Sequence, residues 1–122
     1  KYLMALFAAG VVVQSNDPSD SNSVIGSYNR LDGNYNALKG DRNRVKGNAN
    51  GLFGNWNNIF GNANLIQKGD HNTIKGDKND IFQGFFNWIS GNKNKVNGNS
   101  NSIFTNSNVV NGGNNKILKV QS

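Results

Sequence analysis

The chain has 122 residues, a net charge of +6, no cysteine, no glutamate, and 35% hydrophobic residues beside 15 glycines. A chain of this length makes one domain, and so little apolar material excludes a broad globular core while leaving enough for a narrow one. The lack of cysteine removes disulfides and thiol chemistry, so stability has to come from some other repeated contact.

Residues 1-15 open with Lys1 and continue in an apolar run of about a dozen residues to Val13, Gln14 and Ser15. A basic start, a short apolar stretch and small residues at a cleavage point read as a secretory signal, which places the protein outside the cell or on its surface. The run is too short to span a membrane. If it is retained, it is expected to cap the folded domain or to bridge subunits. Residues 16-18, ending at Pro18, form a linker.

From Ser19 to Leu118 the chain consists of fourteen copies of one heptapeptide, G-[N/D]-x-N-x-[I/V/L]-x. The fourth position is always Asn: Asn22, Asn29, Asn36, Asn43, Asn50, Asn57, Asn64, Asn72, Asn79, Asn87, Asn94, Asn101, Asn108 and Asn115. The sixth is always aliphatic. Coiled coils need two apolar positions in seven and good helix formers between them, which this unit lacks. A strand places alternate residues on one face, so the second, fourth and sixth positions are expected to point inward and the others outward, with Gly at the corner. Stacked units would build a column of Ile and Val beside a ladder of Asn in which each amide bonds to the rungs above and below. These Asn are read as structural.

Two single-residue insertions, Lys68 and Gln83, set the number of heptads per turn. An extra residue fits most easily at a corner. Pairing heptads as 19-32, 33-46, 47-60, 61-75, 76-90, 91-104 and 105-118 brings both insertions to the same corner, whereas three heptads per turn separates them. The expected fold is an all-β parallel β-solenoid of seven coils, about 30 Å tall, followed by a tail at 119-122.

Stretches such as Gly91-Asn-Lys-Asn-Lys-Val-Asn and Gly61-Asn-Ala-Asn-Leu-Ile-Gln resemble the x-x-N-x-V-x-G repeats of the grass ice-recrystallisation-inhibition antifreeze proteins. The resemblance covers residues 19-118 and concerns the inward positions. It implies a left-handed β-roll with about two heptads per coil, and ice as a partner met by small outward residues rich in Ser and Thr. The outward residues here follow another pattern. Lys39, Asp80 and Lys95 interrupt one face, and Arg30, Arg44 and Lys75 the other.

Function therefore has to be read from the outside. The Lys and Arg residues are scattered apart from Arg42, Arg44 and Lys46, and no nucleic-acid module is present, so these charges are read first as a solvated surface, with anionic polysaccharide as the alternative partner and nucleic acid not expected. One His, His71, and Asp residues that alternate with Asn in the repeat offer no catalytic set, so neither an enzyme nor a cofactor or metal site is expected. Phe53, Trp56, Phe60, Phe82, Phe86, Trp88 and Phe104 are expected outside or at corners, while Phe85 replaces an inward Asn or Asp. Large exposed rings mark an interface. The reading is a secreted structural protein that assembles end to end and through lateral aromatic contacts into a fibre or surface layer. An ice-binding protein and a carbohydrate-binding adhesin are the alternatives.

Overall fold

The structure, a computed structural model, describes residues 12–14 and 22–118. Among these residues there are fifteen short strands and no helix. One sheet contains β2 (Ser23–Ile25), β4 (Ala37–Lys39), β6 (Gly51–Phe53), β8 (Leu65–Ile66), β10 (Asp80–Gln83), β12 (Lys95–Asn97) and β14 (Val109–Asn111), stacked in chain order. The other contains β1 (Val12–Gln14), β3 (Arg30–Asp32), β5 (Arg44–Lys46), β7 (Asn58–Phe60), β9 (Thr73–Lys75), β11 (Trp88–Ser90), β13 (Ser102–Ile103) and β15 (Lys116–Ile117). Every pairing is parallel and joins a strand to the one two places on, so two heptads make each turn of a β-solenoid. The outermost strand of the larger sheet, β1, comes from the apolar N-terminal segment and pairs with β3 in the register Val12↔Arg30. The 16-18 linker and the 119-122 tail lie outside the described residues.

From β2 to β14 each strand covers the fifth and sixth positions of a heptad, in most cases with the seventh, and buries only the sixth-position residue. Val24, Leu31, Leu38, Val45, Leu52, Ile59, Ile66, Ile74, Ile81, Ile89, Val96, Ile103 and Val110 form one continuous cluster, none more than 4% exposed. Registers such as Leu38↔Leu52 and Ile59↔Ile74 set these side chains directly above one another. The narrow core expected from composition is thus one aliphatic side chain per strand, contributed from two facing sheets.

Two ladders of Asn run beside that core. Asn64 shows the full pattern. Its Nδ2 donates to Asn50 Oδ1 at 3.2 Å and to the Gly76 carbonyl at 2.7 Å, while its backbone N–H donates to the same Asn50 Oδ1 at 2.9 Å. Its own Oδ1 accepts from the backbone N–H and the Nδ2 of Asn79. Both amide protons and both oxygen lone pairs are used, which is what makes burial of a polar side chain tolerable. The ladder Asn has buried side chains from Asn22 through Asn101, and Asn108 and Asn115 in the last coil are half-buried, because fewer neighbours cover them.

The second position differs from expectation. These Asn and Asp residues do not point into the core; they lie at the corners and carry a separate outer ladder. Ser27 N–H donates to Asp41 Oδ1 at 2.7 Å, Asp41 N–H to Asn55 Oδ1 at 2.8 Å and Asn55 N–H to Asp70 Oδ1 at 2.7 Å. The simple two-residue alternation fails there because the chain is turning. In thirteen heptads the third residue has a left-handed backbone with φ between 55° and 61°, although only one of the thirteen, Asn114, is Asn and none is Gly. The third position is therefore a corner residue and not an outward strand residue. Left-handed φ costs roughly 1–2 kcal/mol in a residue with a Cβ, and it persists where the surroundings over-determine it. Here they do: from Arg42 onward the N–H of every such third residue bonds the coil below, as from Arg42 to the Ser27 carbonyl at 2.9 Å.

Glycine at the first position answers a different need. A Cβ on Gly47 would lie 1.9 Å from the carbonyl oxygen of Gly61 in the next coil, and its φ of 135° belongs to glycine alone. We expect Gly47→Ala to destabilise by at least about 3 kcal/mol through clash and strain, whereas Ala49→Gly, two residues on, should be neutral or stabilising by up to about 1 kcal/mol. Urea unfolding of both variants checks this, and equal effects would refute the corner geometry. Asn64→Leu should cost about 3 kcal/mol, because it strands the amide groups of Asn50 and Asn79; Lys93→Ser, exposed on a corner, should cost less than about 0.5 kcal/mol.

Candidate functional site: an aromatic corner

Because the third residue of a heptad has its backbone fixed by the corner and its side chain in solvent, the fold leaves its identity free. The two corners use that freedom differently. Where the chain passes from the larger sheet back to the smaller, the column reads Tyr35, Ala49, Ala63, Lys78, Lys93 and Ser107. At the opposite corner it reads Tyr28, Arg42, Trp56, His71, Phe86, Ser100 and Asn114.

The first five of that second column stack. The Arg42 guanidinium sits 5.3 Å from the Tyr28 ring centroid and 5.0 Å from that of Trp56, a cation between two π faces. Trp56 then stacks on His71 at 5.9 Å with their planes 8° apart, and His71 on Phe86 at 4.9 Å and 19°. The parallel coils place one side chain per rung, and the shared left-handed backbone gives each the same direction, so neighbouring rings meet face to face. Their edges remain in water: Tyr28 is 62% exposed, Trp56 53% and Phe86 63%.

Further rings border this corner. Phe53 and Phe82 stand exposed at the adjoining edge of the smaller sheet, and Trp88 on the near side of the larger one. Phe85 belongs to the corner itself. Expected to point inward, it is partly exposed, since second-position residues lie outside the core. Phe60 and Phe104 are placed toward the far margin of the larger sheet. Phe104 meets Trp88 at 5.8 Å with planes tilted by 57°, and Phe60 is half-buried beneath the Arg44 guanidinium, 5.5 Å from its ring, so it is not the open interface residue that alternation predicted.

Of the expected interface residues, the fold thus gathers Phe53, Trp56, Phe82, Phe86 and Trp88 around one corner and leaves Phe60 and Phe104 away from it. Tyr28, Arg42 and His71 are members that the sequence reading did not group with them. The signal was present: reading only the third position of every second heptad gives Tyr28, Arg42, Trp56, His71 and Phe86 in succession.

Both insertions fall at this same corner, as the coil pairing requires. The extra residue near Gln83 is taken up as a bulge in β10, where the register passes from Ile81↔Val96 to Gln83↔Asn97. Gly69 and Gly84, which follow the insertions, lack the positive φ of the other corner glycines. The backbone bonds across this seam are longer than elsewhere, with Gly69 N–H to Phe53 carbonyl and Phe86 N–H to Asp70 carbonyl each at 3.2 Å, against 2.9 Å for Gly40 to Ile25. Phe85 also interrupts the outer ladder, because it puts a phenyl ring where Asp70 N–H would find a side-chain oxygen.

Among the described residues no three His or Asp side chains gather into a metal-binding group, and no helix is long and apolar enough to cross a membrane. Comparison with family models, curated proteins and solved structures returns no match. The β-solenoid and its Asn ladder agree with the roll that the repeat resemblance implied.

If the stack is energetically real, Arg42 and Trp56 are coupled. A double-mutant cycle of Arg42→Ala and Trp56→Ala should give a coupling of about 0.5–1 kcal/mol, and the same cycle on Lys78 and Lys93 of the opposite corner should give none that is favourable. Denaturant midpoints of the variants measure both.

Proposed function

We propose that the protein is a non-catalytic, extracellular structural β-solenoid that associates side by side with other copies through its aromatic corner. The observation that carries this reading is the exposure of Tyr28, Trp56 and Phe86 along a single ridge, bordered by Phe53, Phe82 and Trp88, each more than half exposed. Stacking accounts for the ring faces but not for the exposed edges and bordering rings, and apolar patches of this kind mark interfaces. Burying an aromatic side chain contributes about 1.5–3 kcal/mol, so a few shared between two ridges suffice for association. The stacked coils present these rings in one column, a ring or cation per rung, which fits lateral packing into a layer or fibre. End-to-end stacking, the other half of the assembly expected from sequence, depends on termini that lie largely outside the described residues.

The carbohydrate-platform reading finds less support on the ridge itself. Sugars stack on open ring faces, and the faces of Trp56 and His71 are occupied by their neighbours. Ice fits less well still, because Lys39 and Lys95 stand exposed on one sheet and Arg30, Arg44 and Lys75 on the other, and charged groups hold their own hydration.

Sedimentation velocity and negative-stain microscopy test the proposal. The native chain should show concentration-dependent association, and Trp56→Ser combined with Phe86→Ser should abolish it while leaving the far-ultraviolet circular dichroism unchanged. A native chain that remains monomeric at high concentration rules the reading out.

A further inference from the structure

The repeat is its own standard of comparison, and three departures from it converge on one place. Lys68 and Gln83 are inserted residues, and Phe85 stands at a position that is Asn or Asp in eleven of fourteen units. All three belong to the same corner of consecutive coils. Each has a structural cost: the insertions coincide with lengthened backbone bonds, and Phe85 removes an acceptor from the outer ladder. Beside them lies an open cleft of about 380 Å³, lined by Lys39, Phe53, Asn55, Lys68, Asp70 and Phe85.

We propose that this cleft binds an acidic polysaccharide, seating one carboxylated or sulfated sugar unit at Phe53 and Phe85. Two phenyl groups supply apolar surface for the C–H face of a sugar ring. Two ammonium groups, Lys39 and Lys68, supply positive charge for its acid group. The one carboxylate in the lining, Asp70, already accepts the Asn55 N–H through Oδ1 at 2.7 Å, so part of its charge is engaged within the protein. Lysine acts as a point charge without the planar fork of arginine, and so accepts carboxylate and sulfate alike.

The shape of the cleft favours a polymer. Sites for small molecules enclose most of the ligand surface, and this one is open to solvent. Its lining comes from four successive coils, with Lys39, Phe53, Lys68 and Phe85 each contributed by a different one. Single-stranded nucleic acid is the competing ligand, since its bases also stack on open rings beside cations, and the titration below separates the two.

The two proposals share Phe53 but are tested apart, because Lys68 and Phe85 are substituted here and Trp56 and Phe86 there. Calorimetric titration of the full chain with polygalacturonate oligomers and a sulfated galactan, against uncharged cello-oligomers of equal length and a single-stranded oligonucleotide of matched charge, tests it. At least one acidic glycan should bind, with the neutral glycan and the oligonucleotide at least about tenfold weaker, a difference of roughly 1.4 kcal/mol. Lys68→Ser and Phe85→Asn should each weaken acidic-glycan binding about tenfold. Phe85→Asn restores the repeat and should fold at least as well as the native chain. Lys93→Ser, at the opposite corner, should change affinity less than about twofold, and the Trp56→Ser, Phe86→Ser variant should bind normally. Failure of both acidic glycans to bind, equal affinity for the oligonucleotide or the neutral glycan, or indifference to Phe85→Asn overturns the proposal.

Discussion

The inner Asn ladder is the constraint on which the rest of this structure depends. With one aliphatic side chain per strand, the core is too thin to fix strand register by shape alone; Val, Leu and Ile could slide over one another at modest cost. A buried amide cannot. Each ladder Asn in the middle coils accepts two N–H groups from the coil above and donates to the oxygen below and to a corner carbonyl, as Asn57 does with Asn43, Asn72 and Gly69. A register slip would leave several of these groups buried and unpaired, at about 1–3 kcal/mol apiece. The aliphatic column supplies driving force, and the amide column specifies the alignment.

That alignment propagates outward to the corners. Because the Nδ2 of each ladder Asn from Asn22 to Asn101 bonds a first-position carbonyl, the corner path is tied to the core, and the next residues have no choice but to turn tightly. The first position becomes too crowded for a Cβ, as at Gly47, and the third is held in a left-handed conformation whatever its side chain. Tyr, Arg, Ala, Trp, His, Lys, Phe, Ser and Asn all occupy it. Backbone strain that is uncorrelated with residue type shows that the coil neighbours impose the turn. It also explains why ring stacking arises so readily here: any two aromatic residues fourteen or fifteen positions apart at this site share a rung direction.

The core was legible in the sequence because invariance and alternation coincide there. The fourth and sixth positions are the only ones with fixed chemistry, and the strand period carries Asn64 and Ile66 to one face. The two insertions at Lys68 and Gln83 also revealed the two-heptad coil, since they make sense only at a common corner. The second position was misread for a physical reason: its preference for Asn and Asp resembles that of the fourth, but it serves Asx bonding in a turn, where period-two alternation has no meaning. For the same reason Phe85 reads as a buried exception in sequence and is an exposed one in space. The stacked column of Tyr28, Arg42, Trp56, His71 and Phe86 was hidden because its members differ in class and are dispersed over many residues of chain. It emerges only when every second heptad is read at the third position.

Repetition makes cost visible. In an ordinary domain a ring at a corner or an extra residue has no reference against which to judge it, but here thirteen sibling units show what the position does when only stability matters. At coils four and five the chain gives up an outer-ladder bond at Phe85 and tolerates stretched bonds at Gly69 and Phe86. The Trp56, His71 and Phe86 stack spans this same seam, and through its faces it holds together the coils whose backbone contacts are weakest. Face contacts alone would account for stapling. They do not account for ring edges left more than half in water, nor for Phe53, Phe82 and Trp88 beside them, which make no contribution to the stack. In a solenoid whose coils interact only with their neighbours, a local weakness is confined to its own seam, so the fold can carry a costly surface at one corner without loss of register elsewhere. The corner of coils three to five is therefore where the surface departs furthest from what folding requires.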